Sequence, residues 1–273
     1  MNGPIAQMVA LACHANAAVH GRRVQGFLEA NSTCRHCDEV SFFEFRKSSG
    51  AEPLEVAVAA TPDEWFEHLC RTQVVGVRLS HRAQVGGPFP GRMTAGLVGG
   101  GGQWIMTTRT AASSDFWMSR WAFSRRDAPE LGAWRVQYGL VANSSEPAAR
   151  DPEREQVVGA FRSALVDILA FAQTHECDAF PDTFARALAA LDGRGERVGY
   201  HHRDLCPAGI LEPIHQILLD AAQDAWVFGA MGSWNDLSFQ GDAGRQYEAV
   251  SEALYVAITT AICFAANGSD VRP

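Results

Sequence analysis

Apolar and polar residues alternate along four segments in the first half of the chain, and this period of two predicts β-strands. The pattern is clearest where Val75, Val77 and Leu79 alternate with glycine, arginine and serine. The four segments are 75–82, 103–109, 115–124 and 133–141, with shorter apolar runs at 40–45 and 55–59. Alternation of this kind is typical of an antiparallel sheet with one buried face. We therefore expect Arg78, Arg109, Arg120 and Arg135 to share the opposite face, which we call the arginine face.

Helical patterns frame these strands. At residues 62–71 the start signals are complete, because Thr61 can cap the helix, Pro62 suits its first turn and Glu64 completes a capping box. From residue 151 onward the apolar residues recur at helical spacing. Helices are predicted over about 157–172, 181–191, 210–228 and 247–265, and an apolar helix over 3–19.

Strands first and helices later predict an α+β fold. We expect a single domain spanning 1–273, with an antiparallel sheet from the N-terminal half packed against a helical C-terminal half. Residues 1–145 are then mainly strands with an N-terminal helix, and residues 146–273 are mainly helical. The polar segment 143–151 is too short to argue for two independent domains.

Composition is that of an ordinary soluble protein, with 47% apolar and 20% charged residues in 273. The longest apolar segment, 3–19, is interrupted by Gln7, His14 and Asn16, so no membrane association is predicted. Seven scattered cysteines do not resemble a disulfide framework, which favours a reducing, cytoplasmic location. Lys47 is the only lysine, a bias that resembles bacterial composition and has no functional weight. A homo-oligomer is left open.

Charge is distributed unevenly. Residues 71–135 hold nine arginines against three acidic residues, a local net of +6 in a chain of net charge −8. The arginine face could pair with acidic helices of the same chain. Alternatively it could bind a small anion, because the planar guanidinium donates two hydrogen bonds to a carboxylate or phosphate. The overall negative charge argues against a nucleic-acid partner.

Cys34 and Cys37 form a CxxC motif, which could supply two thiolates of a zinc site, act as a redox dithiol, or lie in an ordinary turn. We predict no cofactor, with zinc as the alternative. Residues 96–102 are rich in glycine, and a hairpin tip or lid is favoured there over a phosphate loop.

His201 and His202 lie beside Asp204, so imidazole and carboxylate groups that could perform acid–base catalysis are close in sequence. His202-Arg203-Asp204 resembles the catalytic loop of protein kinases. However, Gly209 occupies the position of the metal-binding asparagine of that family, and the phosphate-binding lysine is missing. The resemblance therefore implies no kinase activity.

The loop after residue 228 could present Trp234, Asn235 and Asp236 to a pocket. The favoured function is a non-enzymatic protein that binds a protein partner or a small anion. Its predicted ligand-binding residues are Arg78, Arg109, Arg120, Arg135, Trp234 and Asn235. The alternative is a hydrolase-type enzyme that uses a His/Asp cluster, with or without metal assistance, and its candidate catalytic residues are His201, His202, Asp204 and Asp236.

Overall fold

The structure is a computed structural model of the chain. It describes residues 1–46, 54–83, 89–124, 134–145, 150–178, 180–194, 201–229 and 231–270. Parts of two predicted features lie outside these ranges: residues 84–88 before the glycine-rich segment, and residues 125–133 of the basic block.

Within these ranges the helices are α1 (Gly3–Val19), α2 (Phe27–Ala30), α3 (Pro62–Arg71), α4 (Gly91–Thr94), α5 (Arg154–Thr174), α6 (Phe180–Leu191), α7 (Pro213–Ala225) and α8 (Gly241–Asn267). The strands are β1 (Cys37–Arg46), β2 (Leu54–Ala59), β3 (Gly76–Arg82), β4 (Gln103–Arg109), β5 (Ser114–Phe123) and β6 (Trp134–Ser144). The predicted α+β composition is therefore confirmed.

The strands form one sheet in the order β2-β1-β6-β5-β4-β3. All neighbours are antiparallel except β1 and β6, which are parallel, so the prediction of a purely antiparallel sheet is wrong. The cause is a crossover. After the β1–β2 hairpin the chain passes through α3 to the far edge of the sheet, and the meander from β3 returns to place β6 beside β1.

The face opposite the arginine face packs against α1 and α3. Its centre is an aromatic cluster, in which the ring of Phe42 stacks on Trp65 at 4.4 Å and on Tyr138 at 5.3 Å. Helix α3 begins as predicted, because the Thr61 hydroxyl accepts from the Glu64 N–H at 3.2 Å. The Glu64 carboxylate in turn accepts from the Ala60 N–H at 2.7 Å, which fixes the entry to the helix.

At one edge of the sheet, β3 pairs with two buried asparagines instead of another strand. Asn16 from α1 accepts from the Val77 N–H at 2.7 Å and donates to the Val77 carbonyl at 2.8 Å. Asn267 at the end of α8 does the same at Leu79, at 2.6 and 3.1 Å. Each side-chain amide therefore replaces the backbone amide of a neighbouring strand, which protects an edge that would otherwise be unpaired.

The glycine-rich segment packs tightly before β4. The Gly101 carbonyl accepts from His81 Nε2 at 2.7 Å and from the Tyr255 hydroxyl. A Cβ atom on Gly101 would lie 2.6 Å from that hydroxyl oxygen, so glycine is required there for close approach.

In the part of the chain that the structure describes, two segments are long and apolar enough to cross a membrane: Arg154–Thr174, which is α5, and Gly241–Asp270, which contains α8. The core helices of soluble proteins have the same properties. In the fold, α8 contributes Leu254, Ile258 and Ile262 to the core.

Candidate ligand-binding cleft

The strand register places the four predicted arginines on one face of the sheet. Arg78 lies opposite Thr107, two residues before Arg109, and Arg120 lies opposite Gln137, two residues after Arg135. Strands β4 and β5 are hydrogen-bonded neighbours, so the pair Arg78 and Arg109 and the pair Arg120 and Arg135 lie on one continuous face.

All four arginines have intramolecular partners. Arg78 pairs with Asp151, and its Nη1 lies 3.4 Å from Asp270, which also pairs with Arg109. In the other half of the face, Arg120 is 3.3 Å from Glu55 of β2, and Arg135 is 3.0 Å from Glu39 of β1. Ion pairing within the chain was one of the two predicted interpretations. For Arg120 and Arg135, however, the carboxylates come from the sheet and not from acidic helices.

Asp270 is the buried centre of one of these networks, with a side chain only 4% exposed. Burial raises the pKa of its carboxyl group, while Arg109 and Arg78 act in the opposite direction. It reaches the sheet because Gly76 has no side chain, since a Cβ atom there would overlap the carboxylate.

Between the β3 end of the arginine face, the segment 150–152 and helix α8 lies a cleft of about 500 Å³, which we call the β3–α8 cleft. Its lining includes Arg78, Arg82 and Thr107 on the sheet side, with Phe116 and Phe264 as apolar surfaces. Arg150, Asp151 and Asn267 complete it on the helical side. Three arginines and one aspartate give the lining a net charge of +2 with histidine neutral.

Arg82 and Arg150 differ from the four paired arginines. Both are exposed, and in the described part of the chain neither one makes an ion pair or a side-chain hydrogen bond. Arg82 lies four residues after Arg78 on the same face of β3, so the predicted strand already contained the signal for it. Arg150 follows a polar segment without a periodic pattern, and no local signal indicated it.

The other two predicted binding residues lie away from this cleft. Trp234 is fully buried, and its indole N–H donates to the Ser251 hydroxyl at 2.7 Å. The Asn235 amide donates to the Arg92 carbonyl at 2.9 Å and lies 3.2 Å from the Arg92 guanidinium. Arg92 is itself buried and paired with Glu248, so this loop positions an internal cation.

The predicted His/Asp cluster divides into separate pairs. His201 Nε2 lies 3.1 Å from Asp224, and both side chains are buried. His202 Nδ1 contacts the Ser32 hydroxyl at 2.7 Å, and that hydroxyl also contacts Asp204 at 2.5 Å. Asp236 accepts from the Gly232 N–H at 2.5 Å, and no hydrogen bond or ion pair among the described residues connects it to the histidines.

Ser32, His202 and Asp204 do not form a nucleophile–base relay. An ionised carboxylate only accepts, so the Ser32 proton is donated to Asp204, and the hydroxyl oxygen accepts from the imidazole. In a catalytic triad the imidazole would take the serine proton, with the carboxylate on its far side. Asp204 also accepts from the Ser32 N–H at 2.6 Å, so the cluster fastens the 201–206 segment to the turn at 32–34. Burial lowers the pKa of His202.

Cys34, the last residue of the turn at 32–34, lies close to Cys37, and one side-chain amide contacts both sulfur atoms. Gln7 Nε2 is 3.5 Å from Cys34 Sγ and 3.4 Å from Cys37 Sγ. Among the described residues no group of three or more His, Cys, Asp or Glu side chains could hold a metal ion. A structural zinc site needs four ligands, so the described residues do not fit the zinc alternative.

No protein-family model matches this chain, and neither a curated protein nor a solved structure shows significant similarity to it. The function is therefore argued from the geometry of the site.

Proposed function

We propose that this protein binds a small organic anion, a carboxylate or a phosphate ester, in the β3–α8 cleft. The observation that carries the proposal is the pair Arg82 and Arg150. Both line the cleft, both are exposed, and within the described ranges neither is neutralised by an acidic side chain. On a protein of net charge −8, a positively charged cleft creates a local positive potential, which attracts an anion to the cleft.

The shape and lining of the cleft fit a small molecule. Its volume of about 500 Å³ lies within the range of ordinary ligand pockets, which is roughly 300–1,000 Å³. Phe116 and Phe264 offer apolar contacts to the body of a ligand, while Thr107 offers a hydroxyl group. A guanidinium fork binds a planar carboxylate or a phosphate with two hydrogen bonds.

The positions of the arginines indicate where the anionic groups would bind. Asp151 already pairs with Arg78, so an anion directly at Arg78 would have to compete with a carboxylate. Arg150 belongs to the same end of the cleft because it directly precedes Asp151. Arg82 lies four residues along β3 from Arg78, about 13 Å away at the rise of a strand. The cleft is therefore suited to a ligand with an anionic group near either end.

Binding can be tested with a panel of dicarboxylates, phosphorylated sugars and nucleotides, followed by thermal unfolding and titration calorimetry at low and high salt. A specific ligand raises the unfolding temperature by mass action. Substituting Arg82→Gln or Arg150→Gln removes the positive charge and at least one charge-assisted hydrogen bond, which is worth about 1.5–3 kcal/mol. Each variant should therefore bind the identified ligand roughly 10- to 100-fold more weakly.

Arg23→Gln is the matched control, because Arg23 is exposed, lies outside the cleft and makes no ion pair or side-chain hydrogen bond with the described residues. It changes the net charge equally and should leave binding unchanged. Equal losses in all three variants would mean that the ligand responds only to overall charge, which contradicts the proposal. The proposal would also be contradicted if no compound of the panel raised the unfolding temperature of the native protein.

A cytoplasmic location remains part of the proposal. All seven cysteines are free in the structure, which supports a reducing compartment.

A further inference from the structure

Gln7 is one of three polar side chains, with His14 and Asn16, in the largely apolar helix α1, and it is fully buried. Burying an amide without hydrogen bonds costs several kcal/mol by transfer measurements, so its partners explain why it is tolerated. The carbonyl oxygen of Gln7 accepts from the Tyr138 hydroxyl at 3.0 Å. This bond fixes the orientation of the amide and directs its N–H₂ group toward the two sulfur atoms and toward the Thr33 carbonyl, which is 3.4 Å away.

The turn at 32–34, which carries Cys34, is also held in place by hydrogen bonds. The Asn31 side chain accepts from the Thr33 N–H at 3.0 Å and donates to the Asp204 carbonyl at 2.8 Å. The second cysteine begins β1, where the sheet fixes its backbone beside Trp134. Both sulfurs lie within 3.5 Å of the same nitrogen, so they are close neighbours on two rigid supports.

The two thiols are chemically different. Cys34 is buried, and the neighbouring Cys37 together with burial raises the pKa of the Cys34 thiol. Cys37 is partly exposed, and the neighbouring Cys34 thiol together with the Gln7 amide lowers its pKa against the effect of burial. A partly exposed thiol of lowered pKa beside a buried thiol is the arrangement in which thiol–disulfide exchange proceeds through one attacking and one resolving cysteine.

We propose that Cys34 and Cys37 form a redox-active dithiol, which a low-molecular-weight disulfide oxidises reversibly to a Cys34–Cys37 disulfide. The Cys37 thiolate attacks one sulfur of the external disulfide, which forms a mixed disulfide and expels one thiolate. The Cys34 thiol then loses its proton, and its sulfur displaces the second thiolate from Cys37. Overall two protein thiols give up two electrons and two protons, and the external disulfide becomes two thiols. Gln7 positions and stabilises the attacking sulfur.

The proposal is tested by equilibrating the reduced protein with mixtures of reduced and oxidised glutathione, followed by acid quenching, alkylation and mass spectrometry. We expect the oxidised protein to carry two fewer alkyl groups than the reduced protein, and peptide mapping to show Cys34 linked to Cys37. Cys13 and Cys206 provide the internal comparison, since they are also neighbours and Cys13 together with burial raises the pKa of Cys206. A Cys13–Cys206 link in place of the expected one, or no disulfide in the most oxidising mixture, would overturn the proposal.

The role of the amide has its own test, which is the pH dependence of Cys37 alkylation by iodoacetamide in folded, reduced protein. Gln7→Met removes the amide at similar volume, and Tyr138→Phe removes only the hydroxyl that orients it. Both variants should move the alkylation profile to higher pH, because a thiol whose pKa rises by one holds about tenfold less thiolate near neutrality. The variant Cys206→Ser should leave the profile unchanged. If neither Gln7→Met nor Tyr138→Phe moves the profile, Gln7 does not activate the dithiol.

Discussion

Replacing Asn267 by alanine should destabilise the protein severely, because this side chain satisfies the backbone at the edge of the sheet. Its amide accepts from the Leu79 N–H at 2.6 Å and donates to the Leu79 carbonyl at 3.1 Å and to Asp151 at 2.8 Å. Asn267 is 4% exposed and is the last residue of α8. The substitution leaves a buried N–H and a buried carbonyl on β3 without partners.

The magnitude follows from these two groups. A buried polar group deprived of its partner costs about 1–3 kcal/mol, so the Leu79 N–H and carbonyl together cost about 2–6 kcal/mol. This is a large fraction of the stability of a typical protein, which is about 5–15 kcal/mol. The substitution Asn267→Asp separates hydrogen bonding from packing, because it keeps the shape and the acceptor. It places an anionic oxygen against the Leu79 carbonyl and Asp151, so at neutral pH it should destabilise at least as much as alanine.

Urea unfolding followed by tryptophan fluorescence would measure both variants at pH 7. Asn143→Ala is the control, since Asn143 is an exposed asparagine at the end of β6 and should change the unfolding free energy by less than about 0.5 kcal/mol. If Asn267→Asp is as stable as the native protein while Asn267→Ala is not, then the loss comes from a cavity. The edge-closing role of Asn267 would then be refuted.

Two further predictions concern Gly76 and His81. Gly76→Ala places a Cβ atom against the Asp270 carboxylate and should lower the unfolding free energy by about 1–3 kcal/mol. Gly159→Ala, at a helical site with open space, should raise the unfolding free energy by about 0.5–1 kcal/mol. Equal urea midpoints for the two variants would contradict this prediction. Burial lowers the pKa of His81 although its bond to Gly101 opposes the shift, so the folded state resists protonation. As the pH falls through about 6.5, the unfolded chain takes up this proton first and stability is lost. His81→Gln should therefore lose less unfolding free energy than the native protein between pH 7.5 and 5.5, and a parallel decline of the two would refute the assignment.

Local patterns predicted the elements well because their causes are local. Helix α3 begins and ends at the predicted residues, since its cap and its first-turn proline are neighbours in sequence. Strand β4 likewise matches the predicted 103–109 segment. The parallel pairing of β1 with β6 could not be read in this way, because it depends on α3 carrying the chain between opposite edges of the sheet. The residue types of β1 do not indicate that one of its two neighbours is parallel.

The closing of the β3 edge shows the same limit. Asn16 interrupts an apolar helical pattern and Asn267 follows one, and at either position an isolated asparagine is equally compatible with a turn or a helix end. Their partners, Val77 and Leu79, lie 61 and 188 residues away in sequence. What makes these asparagines structural is the approach of two helices to one strand, and that approach is a property of the whole fold.

The candidate site combines both kinds of information. Alternation along β3 is sufficient to place Arg78 and Arg82 on one face, because residues four apart on a strand point the same way. It does not distinguish them, although they have different roles in the structure. Arg78 is neutralised because Asp151, just before α5, and Asp270, just after α8, both reach it. Those carboxylates do not reach Arg82, so among the described residues the charge of Arg82 has no acidic partner, although the sequence presents it as one of nine similar arginines.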